Sequence, residues 1–124
     1  MNNKRELSCE NGLFDEDSAL AALDGERGLL SQLATMFVED AQELLLTLDQ
    51  SVADGDCHAA RHATHSLKGQ VATFFAAPVV ALAQRLEHEA AGGRLAEFSN
   101  GGCAELRRAI ERLEQELRAR GLVE

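Results

Sequence analysis

The chain has no tryptophan, no tyrosine and a single proline, and five phenylalanines supply all of its aromatic content. It also lacks runs of β-branched residues, so no segment reads as a strand. No apolar stretch approaches the roughly 20 residues that a membrane-spanning helix needs. The polar N-terminus has no apolar stretch of the signal-peptide kind. Cysteine is scarce. Cys9, Cys57 and Cys103 are odd in number, form no CxxC pair and have no zinc-ligand spacing. Reduced thiols, and hence a cytoplasmic location, are the expectation. Positive charge is in deficit: 12 Lys and Arg against 21 Asp and Glu give a formal net charge of −9. That balance argues against nucleic acid, whose phosphates need a basic surface, and against insertion into or binding of an anionic membrane.

Nucleotide-binding motifs are missing as well. The glycine pairs Gly92-Gly93 and Gly101-Gly102 lack the Lys-Ser/Thr that completes a P-loop. There is no Gly-rich kinase loop and no Ser/His/Asp arrangement with a supporting motif. These absences leave the chain without a recognisable ATP site of its own.

What the sequence does hold is helix. Ala, Leu, Glu and Arg dominate, hydrophobic residues make up 45%, and 124 residues suffice for one domain with a real core. Residues 1–12 are polar and aperiodic and read as a flexible segment ahead of a domain over 13–121. Leu13 and Phe14 offer a hydrophobic entry, and Asp15 or Asp17 can cap a short helix ending at Ala22. A long helix follows from Glu26 to Ala53, with a broad predicted stripe of Leu29, Leu30, Leu33, Met36, Phe37, Asp40, Ala41, Leu44, Leu45, Leu46, Leu48 and Val52. Asp54-Gly55-Asp56 makes a turn whose last residue can cap a third helix, Cys57 to Phe75. A fourth begins near Pro78 and ends at Gly92-Gly93, with the stripe Val79, Leu82, Ala83, Leu86 and Ala90. A fifth runs from Arg94 to Arg120, with the stripe Leu95, Phe98, Gly102, Leu106, Ala109, Ile110, Leu113 and Leu117 and a weak point at Asn100-Gly101-Gly102. Four long amphipathic helices with short connections predict an all-α fold, an antiparallel up-and-down four-helix bundle with a short additional N-terminal helix.

The third helix carries the chemistry. Its apolar stripe is Ala60, Ala63, Leu67, Val71 and Phe74. At about 100° per residue, His65 sits about 200° from Leu67 and faces outward. Lys68 and Gly69 follow one turn on, and Arg61 precedes by one turn on the same face. A neutral imidazole has one nitrogen with a free lone pair and is a competent nucleophile. Lys68 would offset negative charge on a transferred phosphoryl group. Gly69 would let a partner approach closely. Arg61, His62 and Gln70 are candidates for the docking surface. Arg85 belongs to the next helix, and spacing alone does not place it.

The stretch His65-Ser66-Leu67-Lys68-Gly69, with Leu86-Glu87 about twenty residues on, resembles the signature of histidine phosphotransfer (HPt) domains. Leu23-Asp24-Gly25-Glu26, the turn Asp54-Gly55-Asp56 and the helix layout are also similar to that family, over roughly Leu13 to Leu117. Such domains occur free-standing or at the C-terminus of hybrid sensor histidine kinases. The resemblance implies a monomeric phosphocarrier that relays phosphate between receiver-domain aspartates, with phosphate carried on Nε2 of His65, Lys68 helping to hold it and Gly69 as the small residue beneath the ring. It implies no cofactor on this chain, since the family's Mg²⁺ is bound by the receiver. One position departs: the family often has a glycine after its aromatic, ten residues past the histidine, and here Phe75 follows Phe74. A large side chain there bears on the helix end or on the docking surface.

Two other readings compete. His58, His62 and His65 stand at i, i+4 and i+7, a spacing that can chelate a transition metal. A metal site has no need of Lys68-Gly69, whereas a phosphoacceptor does. Alternatively, the domain binds a receiver without transferring phosphate.

Overall fold

A computed structural model describes residues 13–124; the segment 1–12, expected to be flexible, lies outside the described residues. Among these, every regular element is helical: α1 Glu16–Ala22, α2 Arg27–Ala53, α3 Cys57–Ala72, α4 Ala77–Ala91 and α5 Cys103–Ala119, the last preceded by a kinked turn, Phe98–Gly102. Two aspartates set helix starts. Asp15 Oδ1 accepts from the Ser18 amide (3.1 Å) and Asp56 Oδ1 from the Ala59 amide (3.0 Å), each satisfying a backbone donor that the first turn leaves free. Pro78 lies in the first turn of α4, where its missing N–H is not needed.

The long helices adjoin in a ring. α2 packs on α3, α3 on α4, and α5 on both α4 and α2, while α1 lies against α2. The stripes of α3, α4 and α5 point inward as their periodicity predicts. Ala60, Leu67 and Val71 are sealed from solvent, as are Leu86, Leu106, Ile110, Leu113 and Leu117. The stripe of α2 needs correction. Leu29, Met36 and Leu46 are exposed, and Ala34 and Ser51 occupy the buried face instead. A 27-residue helix with leucines on several faces offers more apolar positions than its neighbours cover, and the narrower row Leu30, Ala34, Phe37, Ala41, Leu45, Leu48 is the one that meets the core.

The weak point before α5 is a true kink. Asn100 (φ −88°, ψ 27°) and Gly101 (φ 115°, ψ −11°) leave helical geometry. A Cβ on Gly102 would lie 2.6 Å from the Glu97 carbonyl oxygen and 2.8 Å from Leu86 Cδ2. Only glycine lets this turn close against α4.

α3 ends at Ala72, three residues before the periodicity suggests. The chain then turns through Thr73, Phe74 and Phe75. Phe74 drops into the core, 5.3 Å from the Phe37 ring centre and 6.0 Å from that of Phe14, and its carbonyl accepts from the Asp15 amide. Phe75 takes a left-handed backbone, φ 50°, and remains 46% exposed. For a residue with a Cβ this conformation costs roughly 1–2 kcal/mol, which explains why glycine suits this position.

Leu67 decides which way α3 faces. Its truncation to alanine is expected to destabilise the domain by about 2–5 kcal/mol in denaturant unfolding; a change below about 0.5 kcal/mol, typical of surface sites, would mean that α3 is rotated from the orientation described.

Candidate functional site

His65 lies near the middle of α3 with its side chain 65% exposed. Its ring is not free. Nδ1 lies 2.9 Å from Glu87 Oε2, on the neighbouring helix α4. The other carboxylate oxygen, Oε1, is 2.7 Å from Lys68 Nζ, and the same ammonium donates to Gln84 Oε1 at 2.9 Å. One buried carboxylate thus holds both the exposed imidazole and the lysine one turn along from it. Glu87 is 8% exposed. Burial pushes its carboxyl up, but hydrogen bonds from Lys68 and His65, together with their charge, outweigh this and hold it below the ordinary glutamate value.

An ionised carboxylate can only accept, so Nδ1 must be the donor. In the neutral ring the proton is then fixed on Nδ1, and the lone pair sits on Nε2, at the exposed edge. The position that a Cβ of Gly69 would occupy has no atom within 4 Å. A side chain at this position would project into open space.

The remaining sequence candidates separate around the helix. Arg61 and His62 are exposed on the outer face of α3. Gln70 is half-buried and turned toward α2, where it lines a groove with Asp40, Glu43, Thr47 and Ser66. Arg85 is directed away from His65, to Glu97 (3.5 Å) and Glu105 (3.6 Å). The metal reading finds no gathered ligand set. Among the described residues no group of three His, Cys, Asp or Glu side chains is placed to hold an ion. His58 and His62 point into solvent and His65 is engaged by Glu87, so the i, i+4, i+7 set is not assembled.

Sequence reasoning quoted Glu87 only as part of a signature and gave it no role. A signal was available: Glu87 falls in the stripe Ala83, Leu86, Ala90, a lone charge among inward-facing apolar positions. A charge so placed needs a partner. Gln84 was missed altogether, and nothing in the sequence marks it.

The lowered Glu87 value has a consequence for stability. The folded state binds this proton less readily than the unfolded chain, so the contribution is complete above the ordinary glutamate value of 4.5 and is lost as pH falls through the depressed folded value. Thermal unfolding followed from neutral pH downward is expected to show wild type losing more stability below pH 4.5 than Glu87→Gln; parallel profiles would mean that the carboxylate is not held by its two partners.

Comparison with known proteins bears on the family and the fold. A family model described as Hpt domain matches residues 32–117. Among solved structures, the fold is similar to that of histidine-containing phosphotransfer protein B (HptB) from Pseudomonas aeruginosa PAO1, with a TM-score of 0.78 and 22% identity over 86% of this chain and 92% of that chain. No curated protein matches.

Proposed function

The chain belongs to the Hpt domain family, whose chemistry is histidine phosphotransfer in phosphorelays, and on that premise we propose that His65 is its phosphoacceptor and that phosphate passes through Nε2 to and from receiver-domain aspartates. The observation that carries this reading is the shared carboxylate: Glu87 holds Nδ1 of an exposed histidine at 2.9 Å and Lys68 at 2.7 Å.

In the forward step the Nε2 lone pair attacks the phosphorus of a receiver's aspartyl phosphate. The N–P bond forms, the acyl O–P bond breaks, and the aspartate leaves with its electron pair. The proton on Nδ1 stays where it is, so the ring becomes a phosphorylated imidazolium. Glu87 faces that positive charge and offsets it. The same proton makes the ring a better leaving group when the next receiver's aspartate attacks. Lys68 has three N–H donors. Two are directed to Glu87 and Gln84, which leaves one for a phosphoryl oxygen. Gly69 supplies clearance for the phosphoryl group and the receiver surface. Catalysis here is positioning and charge neutralisation.

In this reading Arg61, His62 and Gln70 lie under the docked receiver, and the divalent cation of the reaction belongs to the receiver. The domain works as a monomer in the cytoplasm. No helix among the described residues is long and apolar enough to cross a membrane.

Incubation with a ³²P-labelled, phosphorylated receiver domain and Mg²⁺ tests the site. Wild type is expected to gain acid-labile label and His65→Gln to gain none while remaining folded. Label retained on His65→Gln would place the acceptor elsewhere, and no label on wild type would favour binding without transfer. A hydrogen bond to a charged group is worth about 1.5–3 kcal/mol, so Lys68→Ala is expected to slow transfer about tenfold to a hundredfold while receiver affinity holds. An unchanged rate would remove Lys68 from the chemistry.

A further inference from the structure

Grooves lie on both sides of the helix face that carries His65. On the α2 side a polar stretch, Asp40, Glu43, Thr47, Ser66 and Gln70 with Leu44, gives way beyond Gln70 to an apolar one at Leu33, Met36 and Phe37. On the α4 side the lining is apolar: Ala72, Phe75, Ala77, Val80 and Ala81, closed at the His65 end by Gln84. Gln84 is the residue that accepts from Lys68, so the apolar groove runs directly into the phosphotransfer site.

Phe75 at its far end is anomalous on two counts. Its backbone is left-handed at φ 50°, a conformation that disfavours any residue with a Cβ, and its large ring is left 46% exposed. The core does not use it, since Phe74 already fills the interior at this turn. The fold gains little from phenylalanine at a position where glycine would sit without strain. Strained positions that stability does not explain concentrate where a protein meets its partners.

A receiver that delivers phosphate to His65 must cover this region. A standard interface buries about 800 Å² per partner, a disc of about 16 Å radius. Ala72, the last residue of α3, lies seven positions beyond His65, about 10.5 Å along the axis at 1.5 Å per residue, and Phe75, whose amide donates to the Ala72 carbonyl at 3.0 Å across the following turn, lies near the rim of a footprint centred on His65. Resting on the phosphotransfer reading above, we propose that Phe75 is a specificity-determining residue. With the α4-side groove it seats an apolar side chain of the receiver domain, fixing the orientation in which the receiver's aspartate meets Nε2.

The test separates this proposal from the reading it rests on. The full chain is loaded at His65 with phosphoramidate, a small donor that needs no docking, and is offered to a panel of isolated receiver domains with Mg²⁺. Transfer rates are compared for wild type, Phe75→Gly and Phe75→Asn. Glycine and asparagine both adopt the left-handed backbone, so the variants remain folded, which thermal unfolding checks. For the receiver that wild type serves best, KM is expected to rise about tenfold or more, as for an aromatic anchor of an interface, with the maximal rate kept within about twofold because the reacting atoms are untouched. Preference among the receivers is expected to flatten. Unchanged KM in both variants for every receiver served would overturn the role of Phe75 and leave the relay reading standing. Failure of wild type to load with phosphoramidate, or to pass phosphate to any receiver, would overturn the relay reading itself.

Discussion

The site depends on a single buried carboxylate. Glu87 lies in the apolar face of α4 and is compensated on both oxygens, by Lys68 and by the His65 ring. Removing either partner would leave a charge buried and half-paired, which is far more costly than losing a surface ion pair. The same contact that satisfies Glu87 sets the tautomer of His65. A structural requirement of α4 and a chemical requirement of α3 are thus met by one interaction.

That interaction exists only because the α3–α4 pair is held at a fixed spacing and rotation. Ala60, Ala63, Leu67 and Val71 face inward and turn His65 out. Leu86, one residue before Glu87, is sealed by the turn at Gly102, where no side chain would fit. At the far end of α3, Phe74 is clamped by Phe14 and Phe37 and hydrogen-bonded through its carbonyl to Asp15. Phe14 and Asp15, remote in sequence at the entry to the short N-terminal helix, therefore secure the turn that follows α3. Glu116 of α5 completes the clamp by accepting from the Leu13 and Phe14 amides at 2.9–3.2 Å.

Periodicity made the inward faces of α3, α4 and α5 legible, because each has one dominant stripe whose burial leaves no competing orientation. The outward aim of His65 followed from Leu67 alone. The capping aspartates and the kink at Gly101-Gly102 were equally readable, since both are local chemistry. Three features were not. The true inner face of α2 is chosen by which neighbours cover it, so Met36 and Leu46 could not be told from core leucines by spacing. The pairing of His65 with Glu87 joins residues 22 positions apart on different helices, and only the tertiary rotation of α4 brings them together. The left-handed backbone of Phe75 contradicts the residue's own preference and is imposed by the turn that buries Phe74.

The tautomer of His65 links the fold to the chemistry, and ¹⁵N NMR of the ring reads it directly, before and after loading with phosphoramidate. The neutral ring is expected to carry its proton on Nδ1 and the phosphorylated ring to bear the phosphoryl group on Nε2. A resting ring protonated on Nε2, or a phosphoryl group found on Nδ1, would show that Glu87 does not prepare the nucleophile and would contradict the mechanism at its base.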